Sequence, residues 1–241
     1  MAVNYPDTEC FLFSSPFHQD IAFVCLHMGE QANYILPREE VLILSKRASL
    51  KRRNEFALGR AAANLAMKEL GLNSPPPLLK GEKGEPLWPD GVVGSITHCG
   101  PWAIAAAAWR SVALTIGVDL ENADEIRTDD IAGLICHDTE RKWAHEDGRY
   151  HTRLATLFSA KEAAFKAFYP LCRRFIDFKE VELTWIAARA QFRGELLTDL
   201  NPTFARGYEF DVGCKFSQDL ILTYMVLGCR ESAIRGDETH A

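Results

Sequence analysis

Gly117-Val118-Asp119-Leu120-Glu121 and Phe158-Ser159-Ala160-Lys161-Glu162-Ala163-Ala164-Phe165-Lys166 are the two stretches whose reading decides the fold. The first follows the apolar, β-branched run Ala113-Leu114-Thr115-Ile116 and reads as the end of a strand. Side chains alternate between the faces of a strand, so Asp119 and Glu121 share one face while Val118 and Leu120 point into the core. Two carboxylates side by side repel unless a cation sits between them. The second stretch reads as a helix start, with Ser159 as N-cap and Glu162 three residues on, as in a capping box. Glu162 and Lys166 are then i and i+4 on one helix face. The expectation is that Asp119, Glu121 and Glu162 meet around Mg²⁺, with the lysines beside it, to handle a phosphate group.

Upstream, Pro37-Arg38-Glu39-Glu40 opens one helix, and Arg52 to Leu70 forms a second that Gly71 and Pro75-Pro76-Pro77 close. Lys46, Arg47, Lys51, Arg52, Arg53 and Arg60 make a dense basic patch there. Most charge runs are solvated helix faces. Arg60, however, lies between Phe56-Ala57-Leu58-Gly59 and Ala61-Ala62-Ala63, where small neighbours let a ligand approach, and an arginine fork suits a phosphate. Both readings stand on composition alone. Leu78 to Gly94 reads as a Gly/Pro-rich loop carrying Lys80, Lys83 and Trp88. Val92 to His98 reads as a strand ending in polar groups, followed by the small-residue strand Trp102 to Trp109.

Downstream of Glu121, Ile131 to Cys136 and Arg141 to Ala144 suggest short helices, and segments near 179–186, 190–197, 207–213 and 220–228 read as strands. Cys10 to Phe13 and Ile21 to Leu26 read as strands at the other end of the chain.

The 241 residues, 47% hydrophobic and 25% charged, fit a globular protein of one large domain or two small ones. A net charge of -6 argues against a nucleic-acid partner, which needs a basic surface. The seven cysteines contain no Cys-x-x-Cys, which points to reduced thiols and a cytoplasmic location. The first residues carry Asp7 and Glu9 and lack a basic-then-apolar leader, and Arg110 and Ser111 interrupt the longest apolar region. Neither a signal peptide nor a membrane partner is expected.

GSITHC (94–99), GVDLE (117–121), FSAKEAAFKA (158–167), KRRNEFALGR (51–60) and KGEKGEPLWPDG (80–91), in this order, resemble the Sfp-type 4′-phosphopantetheinyl transferases, in particular the branch of the enterobactin-synthase component. The resemblance covers roughly residues 45–185. It implies transfer of 4′-phosphopantetheine from coenzyme A to a serine of an apo acyl- or peptidyl-carrier protein, releasing 3′,5′-adenosine bisphosphate, with Mg²⁺ or Mn²⁺. It implies an α+β fold of two similar subdomains in a pseudo-twofold arrangement, about 1–117 and 118–241, with coenzyme A in the cleft between them. A single chain carrying both halves is expected to act as a monomer.

By the same resemblance Asp119, Glu121 and Glu162 match the metal-binding acids. Arg52, Arg60, Lys80, Thr97 and His98 match positions around the nucleotide and its 3′-phosphate. Lys161 and Lys166 match lysines near the pyrophosphate, and Lys166 is suited to stabilise the leaving group. Glu162 takes the serine proton directly or through a metal-bound water. Glu85 stands where some branches carry a basic residue, and Lys83 or Lys80 replaces it. Two rivals remain at this stage: a Mg²⁺-dependent coenzyme A pyrophosphohydrolase and a non-catalytic module that binds coenzyme A or a carrier.

Overall fold

The computed structural model describes residues 12–30, 35–125 and 129–228. In chain order the elements are β1 (Ile21–His27), α1 (Arg38–Val41), α2 (Leu50–Glu69), β2 (Leu79–Lys80), β3 (Pro86–Leu87), β4 (Val92–Cys99), β5 (Trp102–Trp109), β6 (Thr115–Asn122), α3 (Asp129–Ile135), α4 (Asp138–His145), α5 (Tyr150–Cys172), β7 (Val181–Ile186), β8 (Gln191–Leu196), β9 (Glu209–Ser217) and β10 (Leu220–Leu227). The strand expected from Cys10 falls partly outside the described residues.

β1, β5 and β4 form one antiparallel sheet, in that order; β6, β10, β9, β8 and β7 form a second. Each sheet carries one long helix, α2 of 20 residues on the first and α5 of 23 on the second. The fold is α+β, as expected. A boundary after residue 117 would cut β6, because the chain passes from one sheet to the other between Trp109 and Thr115.

The alanines of β5 explain how the first sheet packs on both faces. Ala105 and Ala107 join the cluster with Ala62, Ala63, Ala66 and Met67 of α2. Ile104, Ala106 and Ala108 join Ile116, Val118 and Leu120 of β6, as the two-residue period of a strand requires. Small side chains let a helix and a second sheet come close on opposite sides of one strand. Ser49 caps α2 by accepting from Arg52 N, and Gly71, at φ 92°, ends it in a Schellman turn with Leu72 N bonded to Met67 O at 3.1 Å. Arg52 and Arg60 therefore project from a rigid, doubly capped helix.

α5 begins at Tyr150, so Ser159 is not an N-cap but lies mid-helix, fully buried, with its hydroxyl 2.8 Å from Thr223 Oγ1 of β10. The apolar stripe Leu154, Leu157, Ala160, Ala164 and Phe168 runs through the Ser-x-x-Glu signal, and burying that stripe outweighs a local cap.

Gly117 sets how closely α5 lies on β6. A Cβ there would stand 1.9 Å from Ala163 O and 2.9 Å from Ala167 N, both helix backbone. Gly117→Ala is expected to destabilise by about 3 kcal/mol, the upper part of the range for overpacking. Because Ala163 and Ala167 adjoin Glu162 and Lys166, any activity that depends on those two side chains should fall in the fraction that still folds. A urea midpoint and activity equal to wild type would contradict this close-approach role.

The two sheets meet along β4 and β6. β4 and β6 are edge strands of their sheets, and side-chain hydroxyls take the place of a backbone ladder between them. Ser95 Oγ accepts from Val118 N and Thr97 Oγ1 from Leu120 N, both at 3.1 Å. These bonds satisfy β6 amides that would otherwise be buried without a partner.

Candidate active site

The acids expected from the sequence come together at this seam. Asp119 and Glu121 share a face of β6, and α5 packs on β6 and supplies Glu162 and Lys166. Asp119 is only 4% exposed. Its Oδ1 accepts from Lys166 Nζ at 2.6 Å and from the Thr97 hydroxyl at 3.3 Å, while its Oδ2 is buried with no hydrogen-bond partner among the described residues. Lys166 Nζ also donates to Val118 O at 3.2 Å.

Burial, then the charge of Asp119, pushes the Glu121 carboxyl up to about 8, and Lys166 only partly opposes this. Burial raises Glu162 as well, with Lys166 opposing and Asp119 adding to the rise. Three mutually repelling carboxylates with one nearby ammonium are short of positive charge. Among the described residues no group of three or more His, Cys, Asp or Glu forms a ready metal cage. The carboxylate oxygens are of the type Mg²⁺ takes, in a site where it would keep several waters, and Asp119 Oδ2 is a buried acceptor with no donor among the described residues.

The basic patch resolves into a pocket. Arg47, Arg52, Arg60, Lys80 and His98 line a cavity of about 510 Å³ whose one acid among the described residues is Glu55. Arg60 lies over the Phe56 ring, 4.8 Å from its centroid, so its guanidinium is held by stacking. Arg52 Nη1 lies 2.9 Å from His98 Nε2. Burial lowers the His98 pKa, Glu55 opposes the shift, and Arg52 and Lys166 reinforce it. The neutral ring accepts from Arg52 at Nε2 and carries its proton on Nδ1. His98 senses both Lys166 and Asp119, so the cationic pocket and the acidic cluster are neighbours.

A second cavity of about 400 Å³ lies against α5, lined by Lys83, Trp88, Phe165, Lys166 and Tyr169. Gly84, Pro86 and Ile96 line both cavities, so they abut. The two loop lysines thus part company, Lys80 at the first cavity and Lys83 at the second. Glu85 pairs with Arg173 at 3.2 Å and accepts from Lys83 N, so it anchors the loop instead of facing a phosphate.

Two expected contacts do not hold in this geometry. Lys161 is 2% exposed and turned away from the cleft: its Nζ donates to Glu140 Oε2 at 2.8 Å and to the carbonyls of Ile135, Phe178 and Val181 at 2.6, 2.9 and 2.9 Å. Adjacent helix positions point about 100° apart, so when Glu162 faces β6 its neighbour Lys161 must face elsewhere. Thr97 is likewise 4% exposed and spent on the seam, and it does not line the cationic pocket. Sequence reasoning placed Arg47 only in a charge run, left Ser95 inside GSITHC without a role, and missed Glu140. The partners of Ser95 and Glu140 lie far along the chain, where no motif points to them.

Residues 38–108 match the model of the 4′-phosphopantetheinyl transferase N-terminal domain, and residues 115–224 that of the 4′-phosphopantetheinyl transferase superfamily. The chain belongs to the 4′-phosphopantetheinyl transferases. This transferase is 36% identical over 169 residues to 4′-phosphopantetheinyl transferase PptT of Mycobacterium tuberculosis, covering 69% of this chain and 72% of PptT. It is 42% identical over 156 residues to 4′-phosphopantetheinyl transferase Svp of Streptomyces mobaraensis, covering 63% and 62%. Enterobactin synthase component D of Salmonella typhi is 37% identical over 123 residues, half of each chain. Among solved structures, holo-[acyl-carrier-protein] synthase of Thermotoga maritima aligns at 21% identity and a TM-score of 0.38, covering 48% of this chain and 63% of that one. No helix among the transferase's described residues is long and apolar enough to cross a membrane.

Proposed function

We propose that this chain transfers 4′-phosphopantetheine from coenzyme A to a serine of an apo acyl- or peptidyl-carrier protein, as a cytoplasmic monomer with the cleft between its two halves as the active site. The observation that carries the reading is adjacency: a pocket of four cations and the neutral His98 ring lies beside a cluster of three acids, and His98 feels the charges of both. A coenzyme A phosphate suits the first pocket, and its pyrophosphate suits the seam. The second cavity suits the pantetheine arm: its wall includes Trp88, whose indole N–H is buried without a partner among the described residues and matches an amide carbonyl.

Asp119, Glu121 and Glu162 would hold the metal, which when bound neutralises charge on the pyrophosphate. Glu162, made more basic by burial, takes the proton of the serine hydroxyl as that oxygen attacks the β-phosphorus. The bond from that phosphorus to the bridging oxygen breaks, and 3′,5′-adenosine bisphosphate departs. Lys166 sits beside this point and stabilises the charge on the leaving phosphate.

Mass spectrometry of an apo carrier incubated with the protein, coenzyme A and Mg²⁺ tests the reading. One phosphopantetheine added to the carrier is the expected result; coenzyme A cleaved without that gain would make the protein a hydrolase, and binding without either product a carrier or coenzyme A module. His98→Ala should weaken coenzyme A by about tenfold, about 1.4 kcal/mol. It should leave the 3′-dephospho form little changed, because the lost contacts orient Arg52 toward that phosphate. Unchanged discrimination between the two forms would remove His98 from the phosphate pocket.

A further inference from the structure

Ser95 and Thr97 occupy equivalent places on β4, two residues apart on one face, and each accepts from an amide of β6 at 3.1 Å. Only Thr97 also reaches a carboxylate. A hydroxyl has one proton and two acceptor sites; with Leu120 N bonded to an acceptor site, the Thr97 proton is free to donate to Asp119 Oδ1. Lys166 donates to the same oxygen, and Asp119 is otherwise buried between β4, β10 and α5. Both donors hold Oδ1, and Oδ2 is the oxygen left without a partner.

The geometry points to Thr97 as a positioning residue for the metal site: its hydroxyl fixes the Asp119 carboxylate so that Oδ2 stays available to the cation. This rests on the reading of Asp119 as a metal ligand, and it replaces the contact with the coenzyme A 3′-phosphate that the resemblance implies for Thr97. The role is that of an outer-shell group, which orients a ligand without touching the metal. β4 and β6 belong to different sheets, so the same hydroxyl ties the metal ligand of one half to the strand of the other half that carries His98.

The test is Mn²⁺ alone, titrated into the full chain with free ion counted by electron paramagnetic resonance, for wild type, Thr97→Val, Thr97→Ser, Ser95→Ala and Asp119→Asn. Thr97→Val should weaken Mn²⁺ binding by about 10-fold to 100-fold, the range for loss of an outer-shell partner. Thr97→Ser should restore it. Ser95→Ala, which loses an equivalent seam bond but no bond to Asp119, should bind Mn²⁺ as wild type does. Thr97→Val should keep the wild-type preference for coenzyme A over its 3′-dephospho form. If Thr97→Val does not fold, Thr97→Ala, which leaves room for a water at Leu120 N, is read in its place.

Wild-type Mn²⁺ affinity in the Thr97 variant overturns the inference. So does an equal loss in Ser95→Ala, which would assign the effect to the seam, and so does lost 3′-phosphate discrimination with intact Mn²⁺ binding. If Asp119→Asn binds Mn²⁺ as tightly as wild type, the metal reading itself falls and the positioning role falls with it. That result is recognisable because it appears in the Asp119 variant first.

Discussion

Asp119→Ala should abolish carrier modification while the chain stays folded. The carboxylate is 4% exposed, lies between Lys166 and Thr97, and is flanked by two acids that its charge destabilises. Removing it relieves that repulsion, and Lys166, whose side chain is 27% exposed, can turn to water. Its loss should therefore shift the unfolding midpoint by no more than about 3 °C, equivalent to about 1 kcal/mol in a chain of this size. The chemistry is affected far more. On the proposed reading, the variant lacks the carboxylate whose partnerless oxygen would hold the metal, and Lys166 loses the partner that holds its ammonium in place. The rate at saturating Mg²⁺ should drop by at least about a thousandfold, about 4 kcal/mol of barrier. Glu162→Ala, which lacks the proposed base, should fall as far. Near-normal modification by either variant, followed by mass spectrometry of the carrier, would sink the assignment of these acids.

What the sequence made legible follows from how local each signal is. The alternation Val118, Asp119, Leu120, Glu121 fixes which side chains share a face wherever the strand lies, and the structure keeps that division. The terminators of α2 and the small residues of β5 are equally local, so both elements are readable in advance. The partners are not. Glu85 occupies an expected basic position but faces Arg173, 88 residues away, and nothing in the loop announces it. The start of α5 was obscured because Ser159 and Glu162 imitate a cap inside a longer helix. Only the buried stripe from Leu154 to Phe168 reveals the true length, since tertiary burial outweighs a local hydrogen bond. Motif position alone puts Thr97 and Lys161 beside the substrate. Their actual partners lie on other elements, and a motif read along one strand or helix does not reveal which way a side chain turns.

Lys161 offers the sharpest separation between a motif residue that binds substrate and one that holds the fold. Its ammonium and the Glu140 carboxylate are 1% and 0% exposed as side chains, 2.8 Å apart, and the ammonium has four acceptors for its three protons. Glu140 in turn accepts from His137 N and Leu183 N, so the pair joins α4, α5, β7 and the turn at Phe178. Burial lowers the Lys161 pKa and Glu140 opposes that shift, which is the balance of a desolvated ion pair. Replacing both partners by apolar groups can be tolerated, but removing one strands a buried charge. Lys161→Met should therefore destabilise by about 3–5 kcal/mol. At the scale of this chain that lowers the melting midpoint by roughly 6–20 °C. It also leaves three carbonyls without their donor. Lys161→Met combined with Glu140→Gln should recover part of the loss, as expected for residues in direct contact. Coenzyme A affinity in the folded fraction should match wild type, because the ammonium never reaches the cleft. A Lys161→Met protein that melts like wild type yet binds coenzyme A weakly would return Lys161 to the pyrophosphate, and would require α5 to be rotated relative to β6, against the close contact at Gly117.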